Sequence, residues 1–255
     1  MPIAFKLLLA PALIGLVSLV GRRWGPAVSG WFVGLPLTSG PVTLILALDH
    51  GTAFASSAAQ DTLLGLVSMA GFCLTYCWFS LRVGWPGSML AGWIVFFALT
   101  ATLEHISLPL FLSFVGVISC LTIVLIILPG GESPGASTHS PPWETLLRML
   151  VAAAFVVVLT GAASLLGPQL SGLLSPFPLF ATILAVFTHH YQGALVARRL
   201  LRGVVTGSFT FAVFFLVISL LIERWGIAAA FCLATLAALV THGTSLFLMR
   251  RKSIA

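Results

Sequence analysis

"GPAVSGWFVGLPLTSGPVTLILALDHG", residues 25–51, is apolar and long enough to cross a bilayer. Yet it holds Pro36, Pro41, Gly34 and Gly40 in its middle. Proline removes a backbone donor, and its ring clashes with the carbonyl four residues back. A helix that only anchored a protein would not carry such breakers. The stretch also has a twin, "GPQLSGLLSPFPLFATILAVFTHHYQG", 142 residues further on at 167–193. Reading these two segments together decides the fold.

The 142-residue shift superimposes the halves without gaps. Gly25, Pro26, Ser29 and Gly30 fall on Gly167, Pro168, Ser171 and Gly172. Pro36-Leu37 falls on Pro178-Leu179, Gly51 on Gly193 and Gly65 on Gly207. Phe72 meets Phe214, while Arg82 and Gly84 meet Arg224 and Gly226. Glycine makes up 24 of 255 residues, so chance would give roughly 0.5 glycine coincidences over such a window. Five occur among these pairs, and the chain reads as a duplication.

Composition sets the class. The chain is 59% hydrophobic and 7% charged, against about 25% charged in a soluble domain. With apolar runs of about 20 residues, this is a polytopic helical membrane protein. The alternating pattern of a membrane β-barrel is absent. We expect nine spans: 4–21, 28–48, 60–81, 86–104, 107–128, 146–165, 170–189, 204–222 and 227–249. "PGGESPGASTHSPPWE", 129–144, is a Pro-, Gly- and Ser-rich linker. The expected organisation is a four-helix repeat over 1–105, a connecting helix and linker over 106–143, and a second repeat over 144–255. One extra crossing between two four-span units turns the second upside down.

Charge tests this. Threading nine spans puts Arg22, Arg23, Arg82, Arg148, Arg198, Arg199, Arg202, Arg250, Arg251 and Lys252 on one side. Only Lys6 and Arg224 fall on the other. The crowded side is cytoplasmic by the positive-inside rule, with the N-terminus outside and the C-terminus inside. The net charge of +6 is topology control, and no basic stripe points to nucleic acid. Arg198, Arg199 and Arg202 also suit contact with anionic membrane lipid. Cys73, Cys77, Cys120 and Cys232 lie in apolar runs and form no C-x-x-C pair, which suits small buried residues.

The second half resembles the GlpM-like family of small bacterial inner-membrane proteins. The residues carrying the likeness are Gly172, Leu173, Pro176, Phe177, Pro178, Phe180 and Ala181, followed by the His189-His190 pair and the Arg-bearing "GALVARRLLRGVVTGSF". It covers about 100 residues. The first half keeps the glycine and proline skeleton but has Gly34-Leu35-Pro36 where the family pattern has Pro-x-Phe-Pro. The resemblance implies a fused, inverted pair of four-helix units in a bacterial inner membrane. It implies no particular chemistry.

The two broken spans are where chemistry could reside. Freed carbonyls find no water in hydrocarbon and must face protein or a wet cavity. Paired broken helices in inverted repeats point to a transporter's midplane site. The candidates are Pro36, Thr38, Ser39, Gly40 and Thr43 in the first break, and Pro176, Phe177, Pro178 and Thr182 in the second. Polar contacts would come from the hydroxyls, and further acceptors from carbonyls freed at Pro36 and Pro178. A plain packing kink with small residues at a helix contact is the competing reading. His242 is the ionisable residue expected well inside a span, about 12 Å of helix rise before Arg250. Its repeat partner is Thr100.

Asp49-His50 and Glu104-His105 end spans on the outer side and suit interface marking better than metal binding. All six carboxylates, at 49, 61, 104, 132, 144 and 223, fall at expected span ends or in connections. A proton-driven antiporter usually keeps one in mid-membrane. No P-loop or H-E-x-x-H motif occurs, and the reading needs no catalytic residue, cofactor or metal. The function expected is a secondary transporter or permease for a small solute. The alternative is a non-transporting membrane component that assists envelope biogenesis or a membrane complex.

Overall fold

The computed structural model describes residues 3–37, 39–106, 108–129, 143–154 and 177–254. Every element among them is helical: α1 (Ile3–Trp24), α2 (Pro26–Val33), α3 (Ser39–His50), α4 (Thr52–Phe79), α5 (Trp85–Leu103) and α6 (Leu110–Ile127). Then come α7, described over 143–154, α8 (Leu179–Gln192) and α9 (Ala194–Ile254). α9 is interrupted at Gly226, whose φ of 77° and ψ of 173° divide it into two arms. Among the described residues, four helices are long and apolar enough to cross a membrane: α4, α5, α6 and α9 over Ala194–Phe247. This is fewer than the nine expected spans. Part of the difference is the interruption of α9, and part is that 28–48 is two short helices. The linker 130–142 and the span residues 155–176 lie outside the described residues.

Single glycines make the corners. Gly25, Gly51 and Gly193 have φ near +90° and ψ of 165–171°, a region that essentially only glycine visits. The Gly51 N–H donates to the Ala47 carbonyl, and the Gly51 carbonyl accepts from Ala55 N–H. Gly193 does the same with His189 and Ala197. One residue thus closes one helix and opens the next. This moves the helix starts. α4 and α9 begin at Thr52 and Ala194, several residues before the expected 60 and 204. Arg198, Arg199 and Arg202 therefore sit on the opening turns of a helix, not in a connection. Hydropathy misses these turns because they are polar enough to read as loop.

α4 and the first arm of α9 form the centre and run antiparallel. Ser56 Oγ donates to the Ser219 carbonyl (3.1 Å), and Ser219 Oγ donates back to Ser56 (3.2 Å). At the far end of α4, Tyr76 Oη meets His189 Nδ1 at 3.2 Å, beside the Gly193 corner. α2 lies parallel to the first arm and touches it backbone to backbone. A Cβ on Gly30 would strike the Leu200 carbonyl, and one on Gly203 the Ala27 carbonyl. Gly34 and Gly207 meet the same way. G-x-x-x-G faces G-x-x-x-G, the spacing that lets membrane helices approach closely. α5 and α6 lie outside, exposing residues such as Phe111 (77%) and Ile126 (78%). In water such faces would aggregate, and against lipid they are solvated.

The 142-residue shift relates hydrogen bonds as well as residue types. Thr100 Oγ1 donates to Ser68 Oγ at 2.9 Å across the α4–α5 hairpin. Thr210 and His242, the positions 142 residues on, are bonded at 3.0 Å across the two arms of α9.

Candidate functional site

The two breaks have one backbone design. In the first, Leu37 N–H donates to the Leu35 carbonyl (2.8 Å) and Gly40 N–H to the Pro36 carbonyl (2.9 Å). In the second, Leu179 N–H donates to Phe177 (2.7 Å) and Thr182 N–H to Pro178 (2.7 Å). Each is a three-residue turn centred on proline; Pro178, at φ −76° and ψ 50°, has the inverse γ-turn conformation. Each leads directly into a new helix, α3 or α8. The Pro36 and Pro178 carbonyls are each taken by the first bond of the following helix, and the γ-turns use those of Leu35 and Phe177. Of the carbonyls four residues before the prolines, that of Phe32 accepts from Leu35 N–H, and Leu174 lies outside the described residues.

The breaks face one another across a cavity of about 60 Å³, room for a few waters or a small group. Among the described residues its wall contains five pairs that the 142-residue shift relates: Leu35 and Phe177, Leu37 and Leu179, Ser39 and Ala181, Leu66 and Ser208, Met69 and Phe211. The remaining wall includes Leu13 and Val17 of α1, Gly34, Pro178 and Phe180. The cavity thus sits on the relation between the halves. Its side chains are apolar except for Ser39 and Ser208, and no charged side chain lines it among the described residues. The Ser208 hydroxyl already donates to the Val204 carbonyl.

Of the expected site residues, Ser39, Phe177 and Pro178 line this cavity. Thr38 and Pro176 lie outside the described residues. Pro36 and Gly40 belong to the first break but not to the wall, and Gly40 lies against the Phe214 ring. The Thr43 hydroxyl turns back on the Ser39 carbonyl. Thr182 accepts from Trp93 Nε1 at 3.2 Å. His242 stands apart from the cavity, stacked on Trp31 with ring centroids 3.4 Å apart. The polar side chains picked from the sequence are thus mostly spent on helix packing. In a low-dielectric interior an unpaired hydroxyl is costly, so the nearest carbonyl takes it.

The sequence reading missed two features. The wall residues on α4 and α9, Leu66, Met69, Ser208 and Phe211, carry no individual signal; the repeat shift applied to those helices would have paired them. The second feature is a buried ion pair. Glu144 (1% exposed) accepts from Arg148 (6%) one helical turn on. Arg148 also reaches the Thr188 hydroxyl of α8 at 3.4 Å and lies over the Phe187 ring. So Glu144 is not a simple span-end residue, and His242 is not alone among buried ionisable groups. The acid–His pairs at Asp49-His50 and Glu104-His105 form no metal-holding cluster among the described residues.

No family model, curated protein or solved structure matches this chain.

Proposed function

We propose that this protein is a secondary transporter or permease for a small solute, bound between the two broken spans. The observation that carries the reading is the cavity walled by five repeat-related pairs between two breaks with the same turn hydrogen bonds. A packing kink explains one such break. It does not explain two that enclose a shared space. Because the polar side chains among the described wall residues are two serines, the solute is small, uncharged and largely apolar.

In this reading the chain crosses a bacterial inner membrane nine times, with α2–α3 as one crossing and the arms of α9 as two. Two four-helix repeats lie in opposite senses, each similar to a GlpM-like unit. The antiparallel pairing of α4 with the first arm of α9, its counterpart in the repeat, favours this inversion. The N-terminus is outside and the C-terminus cytoplasmic. Rocking one repeat against the other opens the cavity to each side in turn.

The test uses Ser39→Cys and Ala181→Cys, a repeat-related pair on the wall, in a background lacking the four native cysteines. Membrane-impermeant thiol reagents should label each position from either side in turn. If neither is ever labelled, the transport reading fails and a non-transporting membrane component takes its place.

A further inference from the structure

We propose that His242 is a proton-binding site linked to the cavity through Trp31 and Thr210, and that protons are coupled to transport through it; the coupling, though not the proton site, rests on the transport reading above. The imidazole lies deep within the second arm of α9 and is 6% exposed. Its Nδ1 is bonded to the Thr210 hydroxyl, and its Nε2 is buried with no hydrogen-bond partner. With the ring hydrogen on Nδ1 directed at Thr210, the Nε2 lone pair is bare. That is the atom that takes a proton from water, giving an imidazolium with both nitrogens protonated. The proton returns to water when the site is next wetted.

The surroundings are built for this ring. Trp31 stacks on it at 3.4 Å and within 10° of parallel, and Phe32 meets it edge-on at 6.0 Å. Trp31 is held by its Nε1 donating to Ser245 at 2.8 Å, and Ser245 in turn donates to the His242 carbonyl. The groups facing the imidazole are Trp31 and Phe32 from α2 and Thr210 from the first arm, all uncharged; no acid or base faces it from either element among the described residues. An imidazolium here would have an indole face as its main electrostatic partner.

Two comparisons argue against a merely structural histidine. In the first repeat the same position is Thr100, bonded to Ser68, and the hairpin closes without an ionisable group. The histidine also connects to the cavity at both ends. Trp31 and Phe32 lead into Val33, Gly34 and Leu35 of its wall, and Thr210 lies between Ser208 and Phe211 of its wall. Protonation that shifts the Trp31 stack therefore acts on α2 and on the first break.

The experiment reads Trp31 directly, since an imidazolium in contact with an indole quenches its emission. The full chain in lipid nanodiscs is titrated from about pH 8 to about pH 4. The chain has seven tryptophans, so emission should fall reversibly by up to about one seventh. His242→Thr, which copies the first repeat, and Trp31→Phe should each abolish that component, with unchanged far-ultraviolet circular dichroism. His189→Gln should keep it. If the wild type shows no such quench, or if His242→Thr keeps it, the proposal is overturned whatever the cysteine labelling gives. If the quench is present but neither Ser39→Cys nor Ala181→Cys is labelled, the proton site stands and its coupling to a solute falls with the transport reading.

Discussion

The two breaks share a backbone and differ in what holds them. The first, around Pro36, is fixed from below by glycine. Gly30 of α2 and Gly34 just beyond its end press on the first arm of α9 around Gly203 and Gly207, backbone to backbone. The second, around Pro178, is fixed by aromatic rings. Phe177 lies among Trp93, Phe96 and Phe97 of α5, with centroids 5.6–5.8 Å apart. The residue 142 positions earlier is Leu35, which has no ring to stack. The proline turn is common to both breaks because it is set by backbone chemistry. The packing around it differs because many side-chain sets can fill the same space. The difference also assigns tasks. A ring cluster resists small displacements, whereas a glycine seam puts no side chains across its contact, so we expect the first break to be the softer of the two.

The glycine seam gives the largest expected effect. Gly30→Ala or Gly203→Ala places a methyl group on a backbone carbonyl of the facing helix, and no rotamer relieves it. We expect each to cost more than about 3 kcal/mol, at the top of the range for overpacking, read as thermal unfolding by circular dichroism in detergent. Gly116→Ala and Gly243→Ala, which point into open space, should stay within about 0.5 kcal/mol. Equal losses in both sets would mean that the seam is not a backbone contact.

The ring clamp comes next. Phe177→Ala removes three aromatic partners at once. It should cost about 3 kcal/mol, the low end for phenylalanine truncation because the ring is only partly buried. Leu35→Ala, its repeat counterpart, should cost less, about 2 kcal/mol, the low end for leucine truncation because it too is only partly buried. If the two truncations are equivalent, the proposed difference in stiffness between the breaks is lost. Hydrogen exchange should show the same order, with faster exchange at Leu37 than at Leu179.

The glycine corners test the shared part of the design. Gly51 and Gly193 have the same dihedral angles within a few degrees, so alanine at either should cost the same, about 1–3 kcal/mol. Gly84 and Gly226 are also repeat partners, but Gly84 has φ −65° where Gly226 has φ 77°. Gly84→Ala should therefore be nearly neutral and Gly226→Ala should not.

Much of this organisation was legible in the sequence, and the reason differs by feature. The glycines and prolines announced corners and breaks because each has a conformational property no other residue supplies. Gly51 and Gly193, Pro36 and Pro178 all fall where the structure turns. Helix starts were less legible. The stretches 52–59 and 194–203 are helical but polar, and hydropathy reports solvent, not backbone. The site was half legible. The positions of the breaks pointed to the cavity, but hydroxyl content did not identify its wall. Thr43 and Thr182 satisfy local bonds, and the walls come from leucine, methionine and phenylalanine on four helices distant in sequence. The Glu144–Arg148 pair sat at an expected span end, where only packing reveals that it is buried.

The smallest effect bears on the paired hydrogen bonds across the two hairpins. Ser68 with Thr100 and Thr210 with His242 occupy equivalent positions, but their losses should not match. Ser68→Ala leaves a threonine that can turn its hydroxyl to a carbonyl of its own helix, as Thr122, Thr235 and Thr244 do. The cost should be about 0.5–1 kcal/mol, that of one ordinary hydrogen bond. Thr210→Ala leaves an imidazole that cannot turn away, because Trp31 is stacked on its face. Both ring nitrogens are then unpartnered, and the loss should exceed that of Ser68→Ala by about 1 kcal/mol, the cost of one more unsatisfied buried group. Thermal unfolding of the two variants side by side decides the point. Equal losses would mean that His242 relaxes as freely as Thr100, and the stack on Trp31 would then not hold the ring in place.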